Sequence, residues 1–483
     1  MAAESGATWT RRQRALLWLL CSAQFVLIVD VVVVNIAVPS IRSELDVPVS
    51  FLQLTSVAYT VAFGSLMIVA GRAGDIFGRR RLLIAGLILF TVMSLLCGLA
   101  QEGWQLFAAR AGQGVGAAMV SPSAMALLVG AFREGQLRNR ALGIWTAVAS
   151  AGGIAGQLLG GVVTEYIGWR GIFLINVPIG ALVVISALRL LSADGQRPSD
   201  EPRERLDVPG AILLAATLGG TSVLLADVSG GESWLTATGL LVVGLLAVAL
   251  VMVERRAPEP VLPGKLLARR NVAVANVVLM LNASATTSAL YFSTLTMQTE
   301  MGYGPLQTGL GFAPITLIVL LIAPKAGALV ERVGARTFLL LGSLVAAAGL
   351  LLLVFTASGS GSYLTGILPG LALVAAGNGL SYAPMVSLAT AVPESEHGRA
   401  SGLINTAQEL GSAIGLAVLA SVATLGALGS LGNYSLGYLA AAGAALVAGM
   451  LAFAAPEPTP PPQTPQDPPT PLAAREGNRT EET

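Results

Sequence analysis

The chain has 483 residues, of which 54% are hydrophobic and only 11% charged, whereas soluble domains carry about a quarter of charged residues. A water-soluble fold is excluded, and the composition is that of an all-α polytopic membrane protein. A formal net charge of +1 gives no reason to expect a nucleic-acid partner.

Fourteen apolar segments of about the 20 residues that a spanning helix needs follow one another. They begin near Ala15, Phe51, Leu82, Gln105, Asn139, Arg170, Val208, Leu235, Val272, Leu306, Thr337, Tyr363, Ala400 and Tyr434. The first lacks a small-residue cleavage site and reads as a retained spanner, not a signal peptide. An even count puts both termini on one side. The positive-inside rule makes that side the cytoplasm, because 25 of the 28 Lys and Arg fall there, Arg11, Arg12 and Arg14 among them. Arg42 and Arg170 fall outside, and Arg110 lies within a span.

Helix 1 carries a carboxylate, Asp30, in the run FVLIVDVVVVNIAV. Counted from Ala15, Asp30 lies about 22 Å in; Arg110 in helix 4, which runs the other way, lies about 8 Å deep. The two charges share a level in the outer half and are placed to pair. A charge facing lipid costs at least about 2.5 kcal/mol, so both are expected to point into the bundle and mark an ion or substrate pathway. Gln113, Gly114 and Ser121 share the Arg110 face. Gln24 and Asn35 lie on another face of helix 1 and are expected to hydrogen-bond neighbouring helices.

Between helices 2 and 3 stands GRAGDIFGRRR, Gly71 to Arg81. Gly71 and Gly74 let the chain turn tightly, Asp75 is placed to cap or complement a helix N-terminus, and Arg79, Arg80 and Arg81 suit an anionic leaflet. Helix 5 presents Gly152, Gly156 and Gly160 at intervals of four, a smooth face for close approach of another helix. GWRGIFLINVPIG, Gly168 to Gly180, then enters helix 6.

The loop after helix 10, GALVERVGAR, repeats the spacing of the first loop: Gly71 and Gly327, Asp75 and Glu331, Gly78 and Gly334, Arg80 and Arg336. Helices 5 and 13 echo each other at a constant offset of 259, with Arg140, Gly143, Gly152 and Gly156 matching Arg399, Gly402, Gly411 and Gly415. Such internal repeats mark secondary transporters, whose halves rock about a midplane site. The expected layout is therefore a cytoplasmic N-terminus (1–14), a six-helix bundle (15–191), a linker (192–207), an inserted pair, helices 7 and 8 (208–254), a second linker (255–270) and a second six-helix bundle (271–455). Residues 456–483 begin with nine prolines in sixteen residues, a composition that cannot bury a core, and read as a disordered cytoplasmic tail.

Glu409 in helix 13 lies ten residues beyond Arg399, about 15 Å deep, with Asn405 and Ser412 on its face. A carboxylate at that depth has its charged form disfavoured and is suited to load and release a proton. The single histidine, His397, falls in the preceding loop, so proton coupling is assigned to Asp30, Arg110 and Glu409. Cys21 and Cys97 sit in apolar segments and read as small buried hydrophobes; no disulfide, metal or cofactor is expected. No Walker loop or Ser/His/Asp arrangement points to an ATP-driven pump or an enzyme. Tyr59, Trp145, Gln157, Asn276, Asn282, Tyr291, Asn378 and Tyr382 are candidates to line an amphipathic cavity.

Four stretches, GRAGDIFGRRR, DVVVVNIAVP from Asp30, LFAARAGQGVG in helix 4 and GWRGIFLINVPIG, carry a resemblance to the major facilitator superfamily, specifically its fourteen-spanner drug:proton antiporter family, over roughly residues 12–455. The segment from Gln298 to Pro314 adds a weaker likeness. Gln157 stands where that family has Pro after its spaced glycine, and Gly171 where it has an aromatic. The resemblance implies a bacterial plasma-membrane protein, monomeric, that exchanges protons for hydrophobic, often cationic drugs or an antibiotic by alternating access. In it the loop at Gly71, Gly74, Asp75, Gly78, Arg79 and Arg80, with Glu331 and Arg336 in the echo, acts as a gate latch. An importer or facilitator of a small solute is the alternative within transport. A membrane sensor or lipid-handling protein, which would show no substrate-dependent proton flux, is the alternative outside it.

Overall fold

The computed structural model describes residues 9–47, 49–132, 136–191, 207–227, 233–257, 260, 264–356, 362–389, 391–392, 397–426 and 434–454, and all regular structure among them is helical. Residues 192–206 of the first linker, the Pro-rich tail and the side chains of Glu331 and His397 lie outside the described residues. In chain order the helices are α1 (Arg11–Leu45), α2 (Val49–Phe77), α3 (Arg79–Gly98), α4 (Gly103–Ala131), α5 (Gln136–Tyr166), α6 (Trp169–Leu174), α7 (Asn176–Leu190), α8 (Val208–Asp227) and α9 (Ser233–Arg256). There follow α10 (Gly264–Leu267), α11 (Arg270–Leu295), α12 (Pro305–Val333), α13 (Ala335–Thr356), α14 (Leu368–Ala389), α15 (His397–Gly426) and α16 (Ser435–Ala454). A π-helical turn at Thr296–Glu300 closes α11, and another at Tyr363–Ile367 leads into α14.

Among the described residues 12 helical segments are long and apolar enough to cross a membrane. In hydrocarbon each backbone N–H and C=O must find its partner internally, and a continuous helix does this for the whole segment. α5, of 31 residues, and α8, of 20, are further long helices. The expected spans begin within about one turn of observed helices; helix 6 is divided into α6 and α7 at Ile175, which keeps helical φ and ψ and bonds the Gly171 carbonyl, so the two run on as one apolar segment, Trp169–Leu190. Pro178 lacks the N–H that would bond the Leu174 carbonyl, which interrupts the helical bonding there.

Close approach of backbones holds the bundle, since apolar side chains gain little by exchanging lipid for one another. A Cβ built on Gly160 of α5 would stand 2.8 Å from Val33 Cγ2 of α1; on Gly86 of α3, 2.9 Å from the Gly116 carbonyl of α4. The second half does the same, with Gly411 of α15 against Met280 of α11 and Gly349 of α13 against Gly370 and Val374 of α14. Between the halves α5 packs on α12 and α2 on α15. α8 lies on α2 and α15, and α9 on α8, where Leu240, Leu241 and Leu245 of α9 turn outward.

The face at the N-terminal end of α1, where Trp9 packs on Phe132 beyond the end of α4, is here the termini face. On the opposite face one hydrophobic core crosses both bundles, from Val33, Val38 and Phe173 to Tyr291, Phe292 and Phe312. Toward the termini face it divides into a cluster of first-bundle residues, including Leu20, Phe63 and Leu128, and one of second-bundle residues, including Leu279, Met385 and Ala452. One hydrophobic core thus spans both bundles at the far face, while nearer the termini face each bundle keeps a cluster of its own and the bundles still touch where α2 meets α15, at Val57, Val61 and Ala413 and at Ile68 beside Gly402.

Candidate functional site

The Val-rich run around Asp30 continues as uninterrupted helix, so the carboxylate is carried into the interior on a rigid rod and is completely buried. Arg110 Nη1 meets Asp30 Oδ2 at 2.5 Å. Gln113, one turn further along α4, donates Nε2 to Asp30 Oδ1 at 3.1 Å and accepts from Arg110 Nη1 at 3.0 Å. Asn176, the first residue of α7, donates to the same Oδ1 at 2.8 Å and to Ser94 Oγ at 3.2 Å. Ser94 in turn donates to the Phe173 carbonyl at 2.9 Å.

α4 and α7 thus bond the carboxylate of α1 directly, and α3 supports both through Ser94 and Cys97. The sequence reading paired Asp30 with Arg110 but missed Asn176 and Ser94. Their residue types carried no depth signal, and the one local cue was Pro178, whose missing N–H interrupts the helical bonding beside Asn176. Cys97, expected as an inert hydrophobe, donates Sγ–H to Gln113 Oε1 at 3.2 Å. Gln24 and Asn35, expected as interhelical partners, make no hydrogen bond among the described residues, and Gln24 Oε1 is buried without one.

Tyr59 of α2 lies face-on under the Arg110 guanidinium, 4.4 Å from its centroid, an arrangement in which the ring quadrupole attracts the cation. Its hydroxyl is buried and has no hydrogen-bond partner among the described residues. Gly114 leaves room for this contact, because a Cβ there would strike the Tyr59 backbone carbonyl. Tyr59 lies within electrostatic reach of Asp30, Arg110 and also Glu409 of the second bundle. Glu409 is half-buried where α15 crosses α2, its Cβ 2.9 Å from the position a Cβ would take on Gly64. Ser412 accepts from Thr287 of α11 at 3.1 Å, and Asn405 is exposed.

At the loop, Gly78 and Gly334 occupy matching positions of the repeat and both have positive φ, 101° and 91°, a region that only glycine enters freely. Asp75 does not cap α3, which begins without a side-chain cap; its Oδ1 accepts from Arg79 Nε at 2.9 Å. Arg79 and Arg80 reach the carbonyls of Ala126 and Leu188, near the C-terminal ends of α4 and α7, where a cation is favoured. Gly71 and Gly74 face Pro122 and Ser123 of α4, and Arg336 is half-buried at the start of α13.

Gly152, Gly156 and Gly160 all face α1, against Ile28, Val32 and Val33. Of the expected cavity-lining residues, Tyr59, Trp145 and Tyr291 are packed away in this conformation. Gln157 accepts from Thr316 of α12 at 3.3 Å, and Asn282 accepts from Thr286 within α11. Tyr382 of α14 is 42% exposed and lies within electrostatic reach of Glu409.

Residues 20–416 match the Major Facilitator Superfamily. The chain is 40% identical over 414 residues to the cephamycin export protein CmcT of Amycolatopsis lactamdurans, covering 84% of each chain. It is 36% identical to the puromycin resistance protein pur8 of Streptomyces alboniger, covering 83% of this chain and 80% of that one. The lincomycin resistance protein of Streptomyces lincolnensis is 35% identical, over 87% of this chain and 85% of that one. The fold is similar to that of a bacterial homologue of the human lysosomal transporter Spinster, crystallised inward-facing and unoccupied (TM-score 0.66, 15% identity, 93% of this chain and 98% of that one). On these matches the chain belongs to the major facilitator superfamily.

Proposed function

We propose that this chain is a proton-coupled exporter of amphipathic drugs or antibiotics in a bacterial plasma membrane, working by alternating access between two six-helix bundles, with helices α8 and α9 as the inserted pair. The observation that carries it is the completely buried Asp30–Arg110 pair in one bundle, with Tyr59 stacked under Arg110. Charges are placed in a membrane interior at a cost that is recovered only where they serve an ion or substrate pathway. The relatives named for cephamycin export and for puromycin and lincomycin resistance support the direction and the substrate class.

Fourteen spans are supported by the parallel packing of α1 on α5 with α11 on α15, and of α3 on α4 with α13 on α14. Cytoplasmic termini are supported by the concentration of Lys and Arg in alternate loops. The core that spans both bundles at the far face supports an inward-facing state, with α2 and α15 still in contact across the bundles. The loop around Asp75 is the gate latch, and Asp30, Arg110 and Glu409 are the coupling residues.

The test is drug susceptibility and dye efflux in a pump-deficient bacterial host, with and without an uncoupler. Uncoupler-sensitive efflux is expected. Uptake instead of efflux would establish the importer reading, which Gln157 favours by replacing the family's Pro, and no substrate-dependent proton flux in either direction would end the transport reading.

A further inference from the structure

Asn176 opens α7 directly after Ile175, and both protons of its Nδ2 are given away, one to Asp30 Oδ1 and one to Ser94 Oγ. Ser94 has already given its hydroxyl proton to the Phe173 carbonyl, so toward Asn176 its oxygen can only accept. These partners orient the amide: nitrogen toward the carboxylate, carbonyl oxygen away, with no donor to it among the described residues. Gln113 is different. Its Oε1 accepts from both Arg110 and Cys97, and it cannot turn without breaking both bonds.

A carboxylate only accepts hydrogen bonds, whereas a carboxylic acid carries an O–H that must be accepted in turn. In a fully buried site an unaccepted O–H is costly, so protonation of Asp30 requires one of its present donors to become an acceptor. Arg110 has no acceptor to offer, and that of Gln113 is occupied. Asn176 alone among the three can change role, by rotating its amide half a turn and presenting Oδ1.

We propose that Asn176 is a positioning residue that serves both charge states of Asp30, donating to the carboxylate as seen here and accepting from the acid after proton uptake. The proposal rests on reading Asp30 as a proton-coupling residue. Rotation withdraws the proton that Ser94 now accepts and so removes a hydrogen bond between α7 and α3, which carries the charge state of Asp30 to that helix contact. The charged or titratable groups facing Asp30 are Arg110 of α4, Tyr59 of α2 and Cys97 of α3, with Glu409 of α15 in reach of Tyr59. Among the described residues no charged side chain of α5, α6, α7, α11 or α12 forms an ion pair with it.

The experiment is infrared difference spectroscopy against pH on the full chain in liposomes, with the protonated Asp30 carboxyl band identified by its loss in Asp30→Asn. In Asn176→Leu the band is expected at a changed frequency, because the protonated carboxyl loses the acceptor of its O–H. Proton-driven efflux should fall about tenfold at unchanged substrate affinity. A band at the wild-type frequency in Asn176→Leu would overturn the proposal, as would the absence of any Asp30 carboxyl band in wild type. If Asn176→Leu does not fold, Asn176→Thr, whose hydroxyl ends one bond short, is expected to give the same change of frequency and is judged by the same criterion. Wild type without proton-driven efflux would sink the transport reading and leave the spectral test of Asn176 standing.

Discussion

Arg110 Nη1 lies 2.5 Å from Asp30 Oδ2 with neither side chain in contact with solvent, an ion pair that ties α4 to α1 inside the first bundle. Removing one partner leaves an uncompensated buried charge, so Asp30→Leu or Arg110→Leu alone should destabilise the protein by about 3–5 kcal/mol. The double variant should recover most of that loss while transport stays abolished. Thermal unfolding in detergent measures it, and a double variant no more stable than either single one would show that the pair is not the cause.

Glu409 makes no ion pair among the described residues and is half-buried beside Gly64. Glu409→Gln should therefore change stability by no more than about 0.5 kcal/mol. It should nonetheless abolish substrate-induced proton release near neutral pH, since an amide hydrogen-bonds but does not titrate. Release at the wild-type level from a well-folded Glu409→Gln protein would remove Glu409 from the coupling mechanism.

The glycines separate into two kinds. A Cβ on Gly160 would stand 2.8 Å from Val33 Cγ2, while one on Gly143 of the same helix has nothing within 4 Å. Gly160→Val should part α5 from α1 and cost about 1–3 kcal/mol, whereas Gly143→Ala should be neutral or stabilise by about 0.5–1 kcal/mol through helix propensity. Equal effects of the two substitutions on unfolding temperature would contradict the packing described.

On the far face Gln298 Nε2 donates to the Ile36 carbonyl at 2.9 Å, a hydrogen bond from the second bundle to the first. Ile36 lies in the turn before Pro39, where the missing N–H and the ring disturb the helical bonding of preceding carbonyls. In the alternating-access reading this bond breaks when the far face opens. Gln298→Leu should then favour the far-face-open state by about 0.5–1.5 kcal/mol, a population shift of roughly 2- to 10-fold. Distances between spin labels on the far ends of α1 and α12 report it, and unchanged distributions would count against a gating role.

At the loop, Gly78→Ala places a side chain at φ 101° and should cost about 1–2 kcal/mol. Asp75→Asn weakens the pairing with Arg79 seen at 2.8 Å and should leave insertion intact while slowing the transport cycle. Wild-type transport rates in a normally expressed Asp75→Asn protein would dismiss the latch.

Helix positions, the membrane class and the likeness between the two loops were legible in the sequence because each depends on local composition and spacing. The length of an apolar run sets a span, and a positive φ demands glycine at Gly78 and Gly334 wherever the rest of the chain lies. Depth arithmetic along straight helices was enough to bring Asp30 and Arg110 to one level. It could not supply Asn176 and Ser94, because an amide and a hydroxyl carry no depth signal and their approach depends on how α3 and α7 pack. Nor could it tell that Tyr59 lies under Arg110 instead of lining a cavity, that Asp75 pairs with Arg79 instead of capping α3, or that Glu409 of one bundle meets Gly64 of the other. Those relationships join residues far apart in the chain through close helix contacts, and only the three-dimensional packing selects them.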